Sequence, residues 1–227
     1  MKPKINHPWD LKPSEALNLQ QELGAKVIKE DQFKEILLIA GVDVAYAKHS
    51  ETITAAVVII DAASLTVIET VAVEDKARFP YIPGMFSFRE LPSLIKAFAK
   101  LQHKPDLVVY DGQGCAHPRR FGIACHLGVI FDLPTIGCAK TRLLGVNDEP
   151  HCKRGATQPL LDEGEVIGNV LRTQNRINPI YVSVGHRISL GTACDWVLRL
   201  SPKYRLPETT RQADQAVRNA LKMTCDE

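Results

Sequence analysis

The sequence predicts a mixed α/β fold: a three-strand antiparallel meander followed by alternating helices and strands, flanked by helices. Three features carry this. Closely spaced apolar, β-branched runs occupy Ile36 to Val42, Thr52 to Ile60 and Leu65 to Val73, with connections too short for crossovers. An amphipathic segment, Phe88 to Leu101, then leads into another apolar run, Leu107 to Tyr110, as a strand-to-helix crossover requires. Beyond it, helix-like and strand-like patterns alternate.

In chain order, Ala16, Leu19, Leu23 and Val27 recur at three- and four-residue steps and predict a docked helix over residues 13 to 30. Ile36 to Val42 is continuously apolar, the pattern of a strand buried on both faces, and runs straight into Asp43. The second and third strands are joined through the turn-forming Asp61-Ala62-Ala63-Ser64. In the next helix Leu91, Leu94, Ile95, Phe98 and Leu101 share one face; the strand Leu107 to Tyr110 ends in Asp111. Phe121 to Phe131 reads as a helix and Pro134 to Ala139 as a strand. Further strands fall around Val166 to Leu171 and Ile180 to Val184, and further helices near Leu190 to Leu200 and Thr210 to Leu221. No internal repeat, low-complexity tract or linker divides the chain, so one domain over residues 1–227 is expected.

Composition bounds the function without choosing it. Hydrophobic residues make up 45% and charged residues 24%, which excludes a disordered chain, and the longest apolar runs fall far short of the roughly 20 residues of a membrane span. A net charge of +2 is compatible with a local basic groove but does not itself announce nucleic acid. The N-terminus lacks the apolar core of a secretory signal, and the six cysteines include no C-x-x-C pair; both point to a cytoplasmic protein with free thiols.

Two apolar strands each run into an aspartate, Asp43 and Asp111. A carboxylate beside a buried run is costly unless it is paired, caps a turn or binds a metal. Convergence at one sheet edge would offer oxygen ligands suited to Mg²⁺ or Mn²⁺ rather than Zn²⁺. Glu90 either closes a capping box with Ser87 or faces the two aspartates; Pro92, close behind, makes the capping role uncomfortable. Tyr81, between Pro80 and Ile82-Pro83-Gly84, is an aromatic on a stiff turn, suited either to wedging into a base stack or to covering the core edge. Gly112 and Gly114, followed by His117, Arg119 and Arg120, form a loop that can approach a phosphate or simply be a solvated turn. Lys140 follows the apolar Ile136 to Ala139 and projects from the aspartates' edge if that strand runs parallel to the first. His186, Arg187, Arg211 and Asp214 stand beside later apolar runs, where each taken singly reads as structural.

Taken together, the blocks GVDVAY at 41–46, PYIPGMFSFRE at 80–90, DGQGCAHPRRFGIACHLGV at 111–129, PTIGCAKTRL at 134–143, GHRIS at 185–189 and RLPETTRQAD at 205–214 resemble the endonuclease V family of deoxyinosine-specific nucleases. The resemblance covers most of the chain and implies a ribonuclease H-like fold. It implies that Asp43 and Asp111 bind Mg²⁺, for which Mn²⁺ substitutes, with Glu90 as third acidic residue and Asp214 as an outer carboxylate. It makes Tyr81 the wedge and puts Lys140 and His117 beside the cleaved strand. It also suggests a base pocket from Pro83, Gly84, Met85, Gly112, Gly114, Ile123 and Leu143 or Leu144. Gln113 stands where members often have His, and Met85 and Phe86 where they often have Leu or Phe.

The implied activity is metal-dependent DNA repair: recognition of deoxyinosine, the deamination product of adenine, in DNA and hydrolysis of the second phosphodiester bond 3′ to it, leaving 3′-hydroxyl and 5′-phosphate ends. Inosine-containing RNA is the alternative substrate, and a non-catalytic nucleic-acid binder on the same scaffold the alternative class. A monomer without membrane attachment is expected.

Overall fold

The computed structural model describes residues 1–47 and 50–225. One eight-stranded sheet runs through the molecule. Its strands are β1 (Leu38–Tyr46), β2 (Thr52–Asp61), β3 (Val67–Lys76), β4 (Leu107–Tyr110), β5 (Thr135–Ala139), β6 (Thr157–Asp162), β7 (Glu165–Leu171) and β8 (Ile180–His186), in the order β3-β2-β1-β4-β5-β8-β7-β6. The meander β1 to β3 is antiparallel, β1, β4 and β5 are parallel neighbours, and β8, β7 and β6 complete the sheet antiparallel. The helices are α1 (Pro13–Gly24), α2 (Phe86–Lys100), α3 (Ile123–Phe131), α4 (Leu190–Arg199) and α5 (Glu208–Cys225). Among the described residues no helix is long and apolar enough to cross a membrane.

Strand alternation divides the core. Ala40, Val42, Val108 and Tyr110 face Leu91, Leu94 and Phe98 of α2, whose burial stabilises the helix by about 1.5–3 kcal/mol per side chain. Ile39, Leu107, Val109 and Ile136 belong to a second cluster with Ala193 and Val197 of α4 and Ala213 of α5. Pro92 lies inside α2, where it withholds one amide from the helix; the apolar face offsets that loss.

Several boundaries differ from the sequence reading. The first helix stops at Gly24 rather than near residue 30, because glycine is a poor helix residue and the chain turns there through Lys26 N–H to the Leu23 carbonyl. β1 does not end before Asp43: it continues to Tyr46, held by β2, with Asp43 opposite Ala56. β6 was not expected. Its Pro159 argues against a central strand, and β6 is the sheet edge, the one position that tolerates proline. α2 begins at Phe86, so Ser87 sits inside the first turn and does not cap it.

Gly41 fixes how the sheet meets α5. A Cβ there would lie 2.0 Å from the Thr209 carbonyl oxygen, so only glycine lets the first turn of α5 rest directly on β1. Asp43 is two residues on, on the same face of the strand.

Candidate active site

The parallel register brings the two aspartates together. Val42 pairs with Tyr110, so the next residue on each strand is Asp43 and Asp111, side by side where β4 ends and β1 continues. β5 runs parallel to β4, the condition on which Lys140 reaches the aspartates' edge, and its Nζ lies 2.5 Å from Asp111. Asp214 reaches the cluster from α5 and is held by Arg218 at 3.0 Å.

The carboxylates repel one another. Burial, with the charges of Asp111 and Asp214 added, pushes the Asp43 carboxyl up to about 7, against the Val44 amide and Lys140, which favour the charged form. Burial alone would depress the Lys140 ammonium; contact with Asp111 and the nearby Asp43 and Asp214 outweigh it and raise it. All donors are hard oxygens, and negative charge exceeds the one lysine, the chemistry that suits a hard divalent cation keeping part of its water shell. Among the described residues no three His, Cys, Asp or Glu side chains are drawn into one ligand cluster.

Glu90 lines the same cavity as Asp111 and lies close enough to feel its charge. Its two carboxylate oxygens accept hydrogen bonds from Tyr46 and Tyr110, each at 2.9 Å, and burial raises its carboxyl. Burial and the Glu90 charge raise both phenols, which therefore stay protonated as donors. Arg89 lies over the Tyr46 ring at 5.1 Å and donates to the Phe79 carbonyl, tying the start of α2 to β1.

Beside this edge lies a cavity of about 380 Å³. Its lining includes Pro83, Gly84, Gly112, His117, Ile123 and Leu143, and it opens on Glu90, Asp111 and Lys140. Gly84, at φ +77, makes the turn that leads into α2, and its carbonyl accepts from Arg119 at 2.7 Å, Gln20 at 3.0 Å and His117 at 3.1 Å. This convergence holds the 80–85 segment in place. On that segment Tyr81 is 69% exposed, its ring braced 4.8 Å from Phe86, and it does not cover the core edge.

Other site residues lie elsewhere. Met85 packs with Ala16, Phe79 and Phe88 rather than lining the cavity, because α1 docks against the start of α2. Gly114 is buried on β8, its amide donating to Ser183 Oγ at 2.9 Å. Arg119 is spent on Gly84 and Gln20, and Arg120 on Asp162 and Glu165, so neither guanidinium of the 111–120 loop is presented to a phosphate. A groove of about 730 Å³ shares Lys140 with the cavity and is lined by Arg205, Arg211, Arg218, Lys222 and Asp214; Arg218 pairs there with Asp214 and Arg211 with Glu208, so cations outnumber carboxylates along it. Tyr204 sits in it with the Arg211 guanidinium 3.6 Å from its ring.

The sequence reading gave no role to Tyr46, Tyr110, Arg89 or Gln20. Gln20 did leave a signal: four residues from Ala16 and three from Leu23, it occupies the buried stripe of α1, and a polar residue there needs partners.

Burial, reinforced by Arg119 and Arg120, brings the His117 ring down to about 4, and burial beside His7 holds His126 well below its usual value. Both are neutral in the folded protein and take a proton near 6.5 when unfolded. The imidazole contribution to stability is therefore full above pH 6.5 and falls toward pH 4, by about 3 kcal/mol for His117 alone at 1.4 kcal/mol per unit, while the raised Asp43 carboxyl acts in the opposite sense, its contribution being lost as pH rises toward 7. Urea unfolding of the parent and His117→Asn at pH 7.5, 6 and 4.5 isolates this: the stability difference between them should shrink toward pH 4.5, and a difference that does not change with pH contradicts it.

An acidic sheet edge where parallel strands end, opening on a cavity and a groove lined by basic side chains, suits a nuclease, a hydrolase of phosphodiester bonds, and the family match gives that class. A family model described as Endonuclease V matches residues 21–215. The chain belongs to the Endonuclease V family. Endonuclease V of Nostoc sp. is 51% identical over 214 residues, which span 94% of this chain and 97% of the relative. That of Myxococcus xanthus is 44% identical over 98% of this chain and 94% of its own. Among solved structures, Endonuclease V from Streptomyces avermitilis superposes with a TM-score of 0.92 at 43% identity, covering 99% of this chain and 100% of that one. Ciona intestinalis Endonuclease V, in complex with a 24mer DNA containing an inosine followed by a ribo-adenosine, has a TM-score of 0.81 at 26% identity and covers 93% and 98%.

Proposed function

We propose that this protein recognises deoxyinosine in DNA and hydrolyses the second phosphodiester bond 3′ to it, leaving 3′-hydroxyl and 5′-phosphate ends. The observation that carries the reading is the sheet edge that sets Asp43 beside Asp111 and Lys140, the latter two lining the 380 Å³ cavity together with Glu90. A base turned out of the duplex into the cavity leaves its own backbone outside, beside the carboxylates and the basic groove. The inosine-containing DNA bound by the Ciona relative supports the substrate class.

Asp43 and Asp111 are the residues that would hold Mg²⁺ or Mn²⁺, with Asp214 outside them; the bound ion would supply an activated water and charge neutralisation at the phosphate. Lys140 places a cation beside the cleaved strand, and the Gly84 anchor presents Tyr81 to fill the space left by the extruded base. A duplex with one deoxyinosine should be nicked while its deoxyadenosine twin stays intact; equal nicking of both overturns the reading.

Tyr81→Ala should weaken inosine-duplex binding and slow nicking by about 10-fold, the cost of one base–aromatic stack, with the fold intact. Titration binding and single-turnover rates on the variant measure it; parental values contradict the wedge.

A further inference from the structure

The two strands that lead to the aspartates also carry two phenols. Tyr46 lies three residues beyond Asp43, so strand alternation puts it on the opposite face of β1, and Tyr110, one residue before Asp111, packs among the residues beneath α2. Val42 pairs with Tyr110, so Tyr46 stands four residues further along the sheet, about 13 Å at 3.3 Å per residue. Glu90 of α2 bridges that span: one carboxylate oxygen accepts from Tyr46 and the other from Tyr110, each at 2.9 Å.

Neutral donors do something here that a cation would not. Lys140 reaches Asp111 at 2.5 Å and offsets its charge, whereas the phenols fix both oxygens of Glu90 and leave its charge intact. Two accepted bonds occupy two of about four lone-pair sites, so the carboxylate keeps acceptor capacity while it lines the cavity beside Asp111. The neighbouring Arg89 guanidinium donates to the Phe79 carbonyl and lies over the Tyr46 ring, 5.1 Å from its centre, bracing the phenol.

We propose that Tyr46 and Tyr110 are positioning residues for the nicking reaction and act through Glu90, their hydroxyls holding its carboxylate in one orientation beside Asp111. The inference rests on the function proposed above. A glutamate side chain left free to turn spends only a fraction of its time in the productive geometry, and the rate falls by that fraction. The assignment gives the hydroxyls no contact with DNA, so duplex affinity should not depend on them. Their effect on the rate should also vanish once the carboxylate they hold is removed.

The test compares the parent with Tyr46→Phe, Tyr110→Phe and the double variant, each of which keeps the rings and removes only hydroxyls. Single-turnover nicking of a deoxyinosine duplex at saturating enzyme should fall about 3- to 10-fold in each single variant and about 10- to 100-fold in the double. Affinity for the same duplex, titrated with chelator present to prevent cutting, should stay within about twofold. On a Glu90→Ala background the same phenylalanine substitutions should change the remaining rate by less than about twofold. Glu90→Asp, which withdraws the carboxylate by one methylene, serves where the alanine variant nicks too slowly to time, and there too the losses should shrink. Phenylalanine variants that nick at the parental rate would overturn the proposal, as would losses of equal size with and without the Glu90 carboxylate, or losses accounted for by weaker duplex binding. The two single variants are independent, so either carries the test should the other not fold. If the parent fails to nick the deoxyinosine duplex, it is the function proposed above that fails; if the parent nicks and the phenylalanine variants match it, only the role of the phenols falls.

Discussion

Asp43→Asn and Asp111→Asn should each lower nicking of a deoxyinosine duplex by at least about 1,000-fold, equivalent to some 4 kcal/mol of lost transition-state stabilisation, while binding of that duplex persists. Asparagine keeps the size of aspartate and removes its charge, so the variant isolates the carboxylate. The structure adds a second expectation for Asp43. Its carboxyl is buried beside two other acidic residues and is driven toward its neutral form. A neutral amide relieves that crowding, so Asp43→Asn should melt no lower than the parent, as expected where charge is held for chemistry at the expense of stability. Nicking at the parental rate by either variant, measured under single turnover, would remove that aspartate from the catalytic account.

Gly41→Ala should produce the largest loss of stability of any single methyl group added to β1. The new Cβ would sit 2.0 Å from the Thr209 carbonyl oxygen, with the Thr209 carbonyl carbon at 2.4 Å, and these are backbone atoms that no side-chain rotation can clear. Either β1 or the first turn of α5 must move. Overpacking of this kind costs about 3 kcal/mol, or roughly 6–12 °C in melting temperature for a chain of this size. Because α5 also carries Asp214, the displacement should slow nicking as well. Thermal unfolding followed by circular dichroism checks the first part. A variant that melts within 2 °C of the parent would show that β1 and α5 are not in this close contact.

Periodicity and strand chemistry made most of the sheet readable. The meander showed itself through three β-branched runs, and the parallel strands through short apolar segments separated by helices. The two aspartates stood out because charge following an apolar run needs a reason, and the register places them side by side. What local sequence does not encode is who meets whom across the fold. Glu90 read either as a cap or as a residue facing the aspartates; only the packing of α2 against β1 and β4 shows that it does not cap its helix but accepts from Tyr46 and Tyr110 beside Asp111. Arg119 and Arg120 looked like free cations, yet their partners Gln20, Asp162 and Glu165 lie 99, 42 and 45 residues away in the chain. Met85 sits one residue from Gly84 but faces α1 rather than the cavity, since the turn at Gly84 swings the chain away. β6 stayed hidden because Pro159 argues against a strand anywhere except at an edge, and edges are a property of the finished sheet.

The central claim is that carboxylates at the end of the parallel strands direct metal-dependent hydrolysis at a defined distance from a base held in the cavity. It is tested most directly by mapping the cut, at single-nucleotide resolution, in an end-labelled duplex with one deoxyinosine, first with Mg²⁺ and then with a chelator. The account predicts one nick at the second phosphodiester bond 3′ to the inosine, with a 5′-phosphate on the downstream fragment, lost in chelator and restored by adding Mg²⁺ in excess. Cleavage that continues undiminished in chelator, or cuts scattered without regard to the inosine, would contradict it.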